Sequence, residues 1–293
     1  LQSVGLEEPR CLLQCLFQGS VHRRVLNQPA FYRLLMKLSH SLFALFAACM
    51  LASLFVGSQL VAQEVSMVED SADVTNSAYF FGYILFATLV LLLVLKYYSG
   101  RRLFVFLEAA LIFFTADLAL ELFVGGLASA GIALGIVAFR FLYPASRTLA
   151  LAFGAAVVGA LIGASLDFVP AALLGLALAA YDYYAVFKSK HMVTLAKGLN
   201  DRNAAMALTV KSGKESVQLG TGDVVMPAAL CVAAVKVSPA ATALAFAGTM
   251  LGCLALLYVL ENRKGYFPAL PPLVGGALLG WLAWFALATT TGF

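Results

Sequence analysis

Long apolar runs separated by short polar or basic breaks set the plan of this chain. Nine of them, at approximately 42–62, 78–96, 103–123, 127–143, 148–168, 170–187, 218–237, 239–260 and 266–288, meet or approach the length of about 20 mostly apolar residues that a bilayer-crossing helix needs. Gly125-Gly126 divides the third run from the fourth and Pro170 marks the break between the fifth and sixth, so both pairs read as tight helical hairpins. The expectation is an all-α polytopic membrane protein with nine transmembrane helices. Its parts are an N-terminal segment 1–41, helices one to six over 42–187, a polar and basic loop over 188–217, and helices seven to nine over 218–293.

The first run is too long for the apolar core of a signal peptide and follows about forty residues that include five basic ones, so it reads as a span. With nine spans and a cytoplasmic N-terminus, all but Lys236 of the 19 Lys and Arg residues fall on the cytoplasmic side, as the positive-inside rule requires. A change of parity before the basic loops would scramble that pattern. The loop from Gln63 to Ser77 carries Glu64, Glu69, Asp70 and Asp73 and no Lys or Arg, which places it outside and the C-terminus outside with it.

Composition agrees with the pattern. Hydrophobic residues make up 62% of the 293 and charged residues only 12%, about half the charged share of a soluble domain, and the mean hydropathy is +0.92. A net charge of +4 gives no reason to expect a nucleic-acid partner. Cys11, Cys15, Cys49, Cys231 and Cys253 have no CxxC spacing, and His22, His40 and His191 are scattered; neither set has the ligand spacing of a metal site. No metal or cofactor is expected.

Carboxylates inside a bilayer are costly and therefore mark function. Asp182 in the sixth run lies about six residues, or roughly 9 Å, from the cytoplasmic surface, and Asp223 about five residues, or roughly 7 Å, into the seventh. Helices joined by one loop tend to be neighbours, so the two side chains can meet at one depth. Two close carboxylates share a proton and titrate as a pair, the state in which one activates a water while the other polarises a carbonyl. Gly220 and Gly222 flank Thr221 just before Asp223 and let another backbone approach, and Pro227 distorts the helix beyond it. Pro268-Ala269-Leu270-Pro271-Pro272, at the start of the last run, reads as a helix start or as the wall of a substrate-accessible cleft.

Other intramembrane groups have simpler readings. Glu108 lies roughly 8 Å deep and can snorkel or pair with Arg101 or Arg102, outside the active site. Ala155, Gly159 and Gly163 form a small-residue stripe suited to helix packing.

The sequence Tyr181-Asp182 in one helix, Gly220-Thr221-Gly222-Asp223 in the next and Pro268-Ala269-Leu270 in the last resembles the presenilin and signal peptide peptidase family. The resemblance implies hydrolysis of single-span membrane proteins within the bilayer. Asp182 and Asp223 would be catalytic, and Tyr181, Gly220, Thr221, Gly222, Pro268, Ala269 and Leu270 supporting or substrate-binding. The charge pattern matches the presenilin orientation rather than that of signal peptide peptidases. Thr221 departs from the aliphatic residue frequent at that position, and the loop between the aspartates is short for presenilin-like self-cleavage. Short external loops without glycosylation sites resemble a prokaryotic member, located in the cell membrane, with homo-oligomerisation left open. A prepilin-type peptidase shares the GxGD aspartate but does not explain the other two motifs. A proton-coupled transporter or ion channel would use such carboxylates as relays, yet here they gather in the last motif-bearing segments instead of repeating in two halves.

Overall fold

The computed structural model describes residues 29–97, 101–143, 146–189, 207–212, 215–262 and 267–291. Among them are nine α-helices: α1 (Pro29–Ala62), α2 (Thr75–Tyr97), α3 (Arg101–Glu121), α4 (Gly126–Leu142), α5 (Arg147–Ser165), α6 (Phe168–Tyr184), α7 (Thr221–Val235), α8 (Pro239–Asn262) and α9 (Leu270–Thr291). Each apolar run of the sequence corresponds to one helix. Six of the nine contain a window long and apolar enough to cross a membrane, while Thr75–Leu91, Gly126–Leu142 and Thr221–Val235 are shorter. α1 starts at Pro29, well ahead of the apolar run that opens at 42, because the strong helix formers Leu34, Leu35, Met36, Lys37 and Leu38 extend it beyond the apolar stretch.

One end of the bundle is tied together by its connections. Gln63 Nε2 donates to the carbonyl of Leu122, the Asp167 N–H to the carbonyl of Ser71, and Lys236 Nζ pairs with Asp167 Oδ1 at 3.2 Å. The segments following α1, α3, α5 and α7 therefore meet at that end, as they must when successive helices run in alternating directions.

α7 is the central helix. Residues Met226 to Ala234 are all buried, and a helix apolar all round needs partners on every side. α5 provides them at closest approach: a Cβ on Gly159 would sit 2.7 Å from the Cβ of Ala228, and one on Gly163 would overlap the Ala229 carbonyl. The small-residue stripe of α5 is thus a packing device, as the sequence implies. α8 and α9 use the same device, since a Cβ at Gly248, Gly252, Gly276 or Gly280 would run into the backbone of the opposite helix.

In the polar stretch between α6 and α7, residues 190–206 lie outside the described ones, and those that follow are not a simple loop. β1 (Ala207–Ser212) and β2 (Glu215–Gly220) form an antiparallel hairpin, with Leu208 opposite Leu219. Both leucines are buried and join the core cluster of Leu42 and Phe46 from α1 and Leu151 from α5. The period-two signal, Leu208, Val210, Val217 and Leu219, is short and set among Lys211, Ser212, Glu215 and Ser216, so scanning for membrane-length runs passes over it.

Candidate active site

Asp182 lies two residues before the end of α6, and Asp223 is the third residue of α7. α7 begins at Thr221 instead of the expected 218, because Gln218, Leu219 and Gly220 belong to β2. Fifteen residues of α7 span only about 22 Å, roughly 8 Å short of the hydrocarbon thickness. The helix is thus too short to cross the layer alone, and Asp223 stands in its first turn.

The two glycines play different parts. Gly220 ends the strand and is the N-cap of α7, and its N–H is bonded to the Asp223 carboxylate. This is one half of a capping box, in which the third helical side chain reaches back to the cap N–H. A Cβ at Gly220 would sit 2.9 Å from Asp223 Oδ2, whereas one at Gly222 would meet nothing within 4 Å. Gly220 makes room for the carboxylate, and Gly222 leaves exposed backbone beside it. α7 runs on through Pro227, which has no N–H to offer the carbonyl of Asp223.

The Pro268-Ala269-Leu270 segment is both a helix start and part of the site. α9 begins at Leu270 and continues Pro271-Pro272, so two of the four N–H groups that a first turn leaves without helical partners are absent. The Leu270 N–H donates to Asp182 Oδ2 at 3.2 Å, and the Ala269 N–H is also bonded to the Asp182 carboxylate. Asp182, only 5% exposed, is thus held by backbone from the opposite helix. It is also close enough to Asp223 for the two charges to interact. α6, α7 and α9 converge around Gly175, where a Cβ would lie 3.2 Å from Val274 and 3.5 Å from Leu230. Tyr181 and Thr221 are partly buried next to the two aspartates.

Glu108 finds its partners on other helices. It is buried on α3 and accepts from Arg140 of α4 at 2.6 and 3.0 Å and from Arg147 of α5 at 2.9 and 3.2 Å. Its distant partners come from chain segments that only folding brings together.

A family model described as "Signal-peptide peptidase, presenilin aspartyl protease" matches residues 43–290. The chain belongs to this family. It is an intramembrane aspartyl protease, a peptide-bond hydrolase. Two solved structures of a presenilin family intramembrane aspartate protease share its fold. One is 32% identical, with a TM-score of 0.62 over 83% of this chain and 97% of that one. The other is 29% identical, with a TM-score of 0.59 over 83% and 96%. No curated protein matches in sequence. The family match spans all three motif-bearing segments, so prepilin-type peptidase and transporter readings fall away.

Proposed function

We propose that Asp182 and Asp223 are the catalytic pair of this protease. The observation that carries the reading is the placement of Asp182, anchored by the backbone N–H of Leu270, within electrostatic reach of Asp223. One carboxylate takes a proton from water as the oxygen attacks the peptide carbonyl carbon. The other, protonated, donates to the carbonyl oxygen. Collapse of the tetrahedral carbon breaks the C–N bond; the amine leaves with the proton that the first carboxylate took up, and the second carboxylate recovers its proton from one of the two hydroxyls on that carbon. Gly220 shapes the seat of Asp223, Ala269 and Leu270 hold Asp182, and Pro268 leads into α9. Tyr181, Thr221 and Gly222 line the approach for the substrate backbone. The hairpin is two-stranded among the described residues, leaving a strand edge next to Asp223 to which an extended substrate can pair.

The substrates are single-span membrane proteins of a prokaryotic cell membrane, cut near the cytoplasmic face, with the N-terminus of the protease cytoplasmic and its C-terminus external. The distribution of Lys and Arg supports that orientation. The chemistry needs no metal or organic cofactor.

Purified protein in liposomes with a single-span substrate tests the reading. The parent is expected to cleave, and Asp182→Asn and Asp223→Asn to be inert while melting like the parent. Cleavage by either variant would refute the assignment.

A further inference from the structure

α6 does not end as an α-helix. Its chain continues as a π-helical turn over Ala185–Ser189, a rare geometry that tends to occur at functional positions. Ala185 is 1% exposed and fixes the turn in the core. Phe187, in mid-turn, meets Tyr183 with ring centres 4.9 Å apart and Phe267 edge-on at 6.0 Å. Phe267 stands three residues before Leu270, a span of at most about 10 Å of chain, and the Leu270 N–H holds Asp182. The ring contact therefore bridges the same two segments as that hydrogen bond, one step further towards the loop end of α6.

Despite these contacts, Tyr183 remains 58% and Phe187 49% exposed. Single aromatic residues near a membrane surface commonly serve as anchors. A ring cluster assembled across two segments, one of them non-helical, forms instead an open aromatic surface with fixed geometry. Such surfaces favour another ring in edge-on or offset contact. The neighbouring Tyr184 is engaged separately by Lys188, whose Nζ lies 5.8 Å over its ring.

We propose that Phe187 and Phe267, flanked by Tyr183, form a specificity subsite that receives an aromatic side chain of the substrate from a position between the scissile bond and the loop end of α6. The inference rests on the assignment of Asp182 and Asp223 as the cleaving pair. The rings touch neither the water nor the scissile bond, so their effect is selection and placement of the substrate.

The test uses the full chain in liposomes and two single-span substrates that differ in carrying Phe or Ala at the three positions beyond the scissile bond on that side. The parent is expected to prefer the Phe substrate by about tenfold in kcat/KM. Phe187→Ala and Phe267→Ala should each bring the ratio within about twofold of unity, chiefly by raising KM for the Phe substrate, with cleavage of the Ala substrate retained. The double variant should lose no more preference than either single one, because the rings act as one surface. Phe187→Leu, which keeps apolar bulk, guards against misfolding and should lose only part of the preference. No preference in the parent, an unchanged preference in both Ala variants, or an equal loss on both substrates would overturn the proposal. Cleavage of the Ala substrate by Asp182→Asn would instead bring down the catalytic assignment, independently of the ring variants.

Discussion

The Asp182 carboxylate accepts the backbone N–H of Leu270, 88 residues away in sequence, and that bond joins the end of α6 to the start of α9. Hydrogen bonds to charged groups contribute about 1.5–3 kcal/mol. Leu270→Pro removes the donor where the chain already starts a proline run. Its kcat should fall by about 10- to 100-fold, while Leu270→Val, which keeps the N–H, stays within a few-fold of the parent. Steady-state cleavage alongside thermal melting in detergent separates this from unfolding.

Gly220 and Gly222 should respond oppositely in stability and alike in activity. A methyl at Gly220 meets Asp223 Oδ2 and must displace it, and misplacing a reacting group by about 1 Å can cost about 100-fold in rate. Gly222→Ala meets open space in the protein, so its melting temperature should match or exceed that of the parent while kcat/KM falls because the substrate backbone is held off. Full activity in Gly222→Ala would show that the substrate does not approach there.

The Arg140–Glu108–Arg147 triad gives a stability prediction. Glu108→Gln leaves two largely buried guanidiniums without their shared charge, and breaking a buried ion pair on one side costs about 3–5 kcal/mol. Folded yield and melting temperature should drop clearly. Protein that does fold should keep its cleavage position, since Leu270, Ala269 and Gly220 hold the two aspartates.

Gly163 tests the packing of the central helix. Any Cβ there overlaps the Ala229 carbonyl, which cannot move without shifting α7 as a whole. Gly163→Val should abolish or sharply reduce folded protein in size-exclusion chromatography. The same change at Gly135, where an added Cβ would meet nothing within 4 Å, should be tolerated.

Asp73 gives a pH effect at the start of α2. Bonds from the Thr75 hydroxyl, at 2.5 Å, and the Thr75 N–H, at 2.8 Å, hold its carboxyl below the ordinary carboxylate value. A group lowered in the folded state stabilises fully above its unfolded value and loses that contribution as pH falls through the folded one. Amide protection at Asn76 and Ser77 should therefore be constant near neutrality and weaken in acid, below about pH 4. Asp73→Asn should show no such transition.

Much of this protein was determined by local chemistry that the sequence displays directly. Apolar length alone sets the number and order of the helices, because unpaired backbone groups are intolerable in lipid. A carboxylate in such a run advertises itself through its cost, so Asp182 and Asp223 stand out without any structure. The Pro268 to Leu270 run stood out by its prolines, and its match to a motif tied it to the aspartates. What the sequence could not convey were relations between distant segments. The partners of Glu108 depend on how α3, α4 and α5 pack. The hairpin before α7 is stable because Leu208 and Leu219 find a core provided by other helices, which decides where α7 starts. The same reason explains why Leu270 had no visible tie to Asp182. A free backbone N–H has no sequence signature, and only the tertiary packing of α6 against α9 brings the carboxylate that satisfies it.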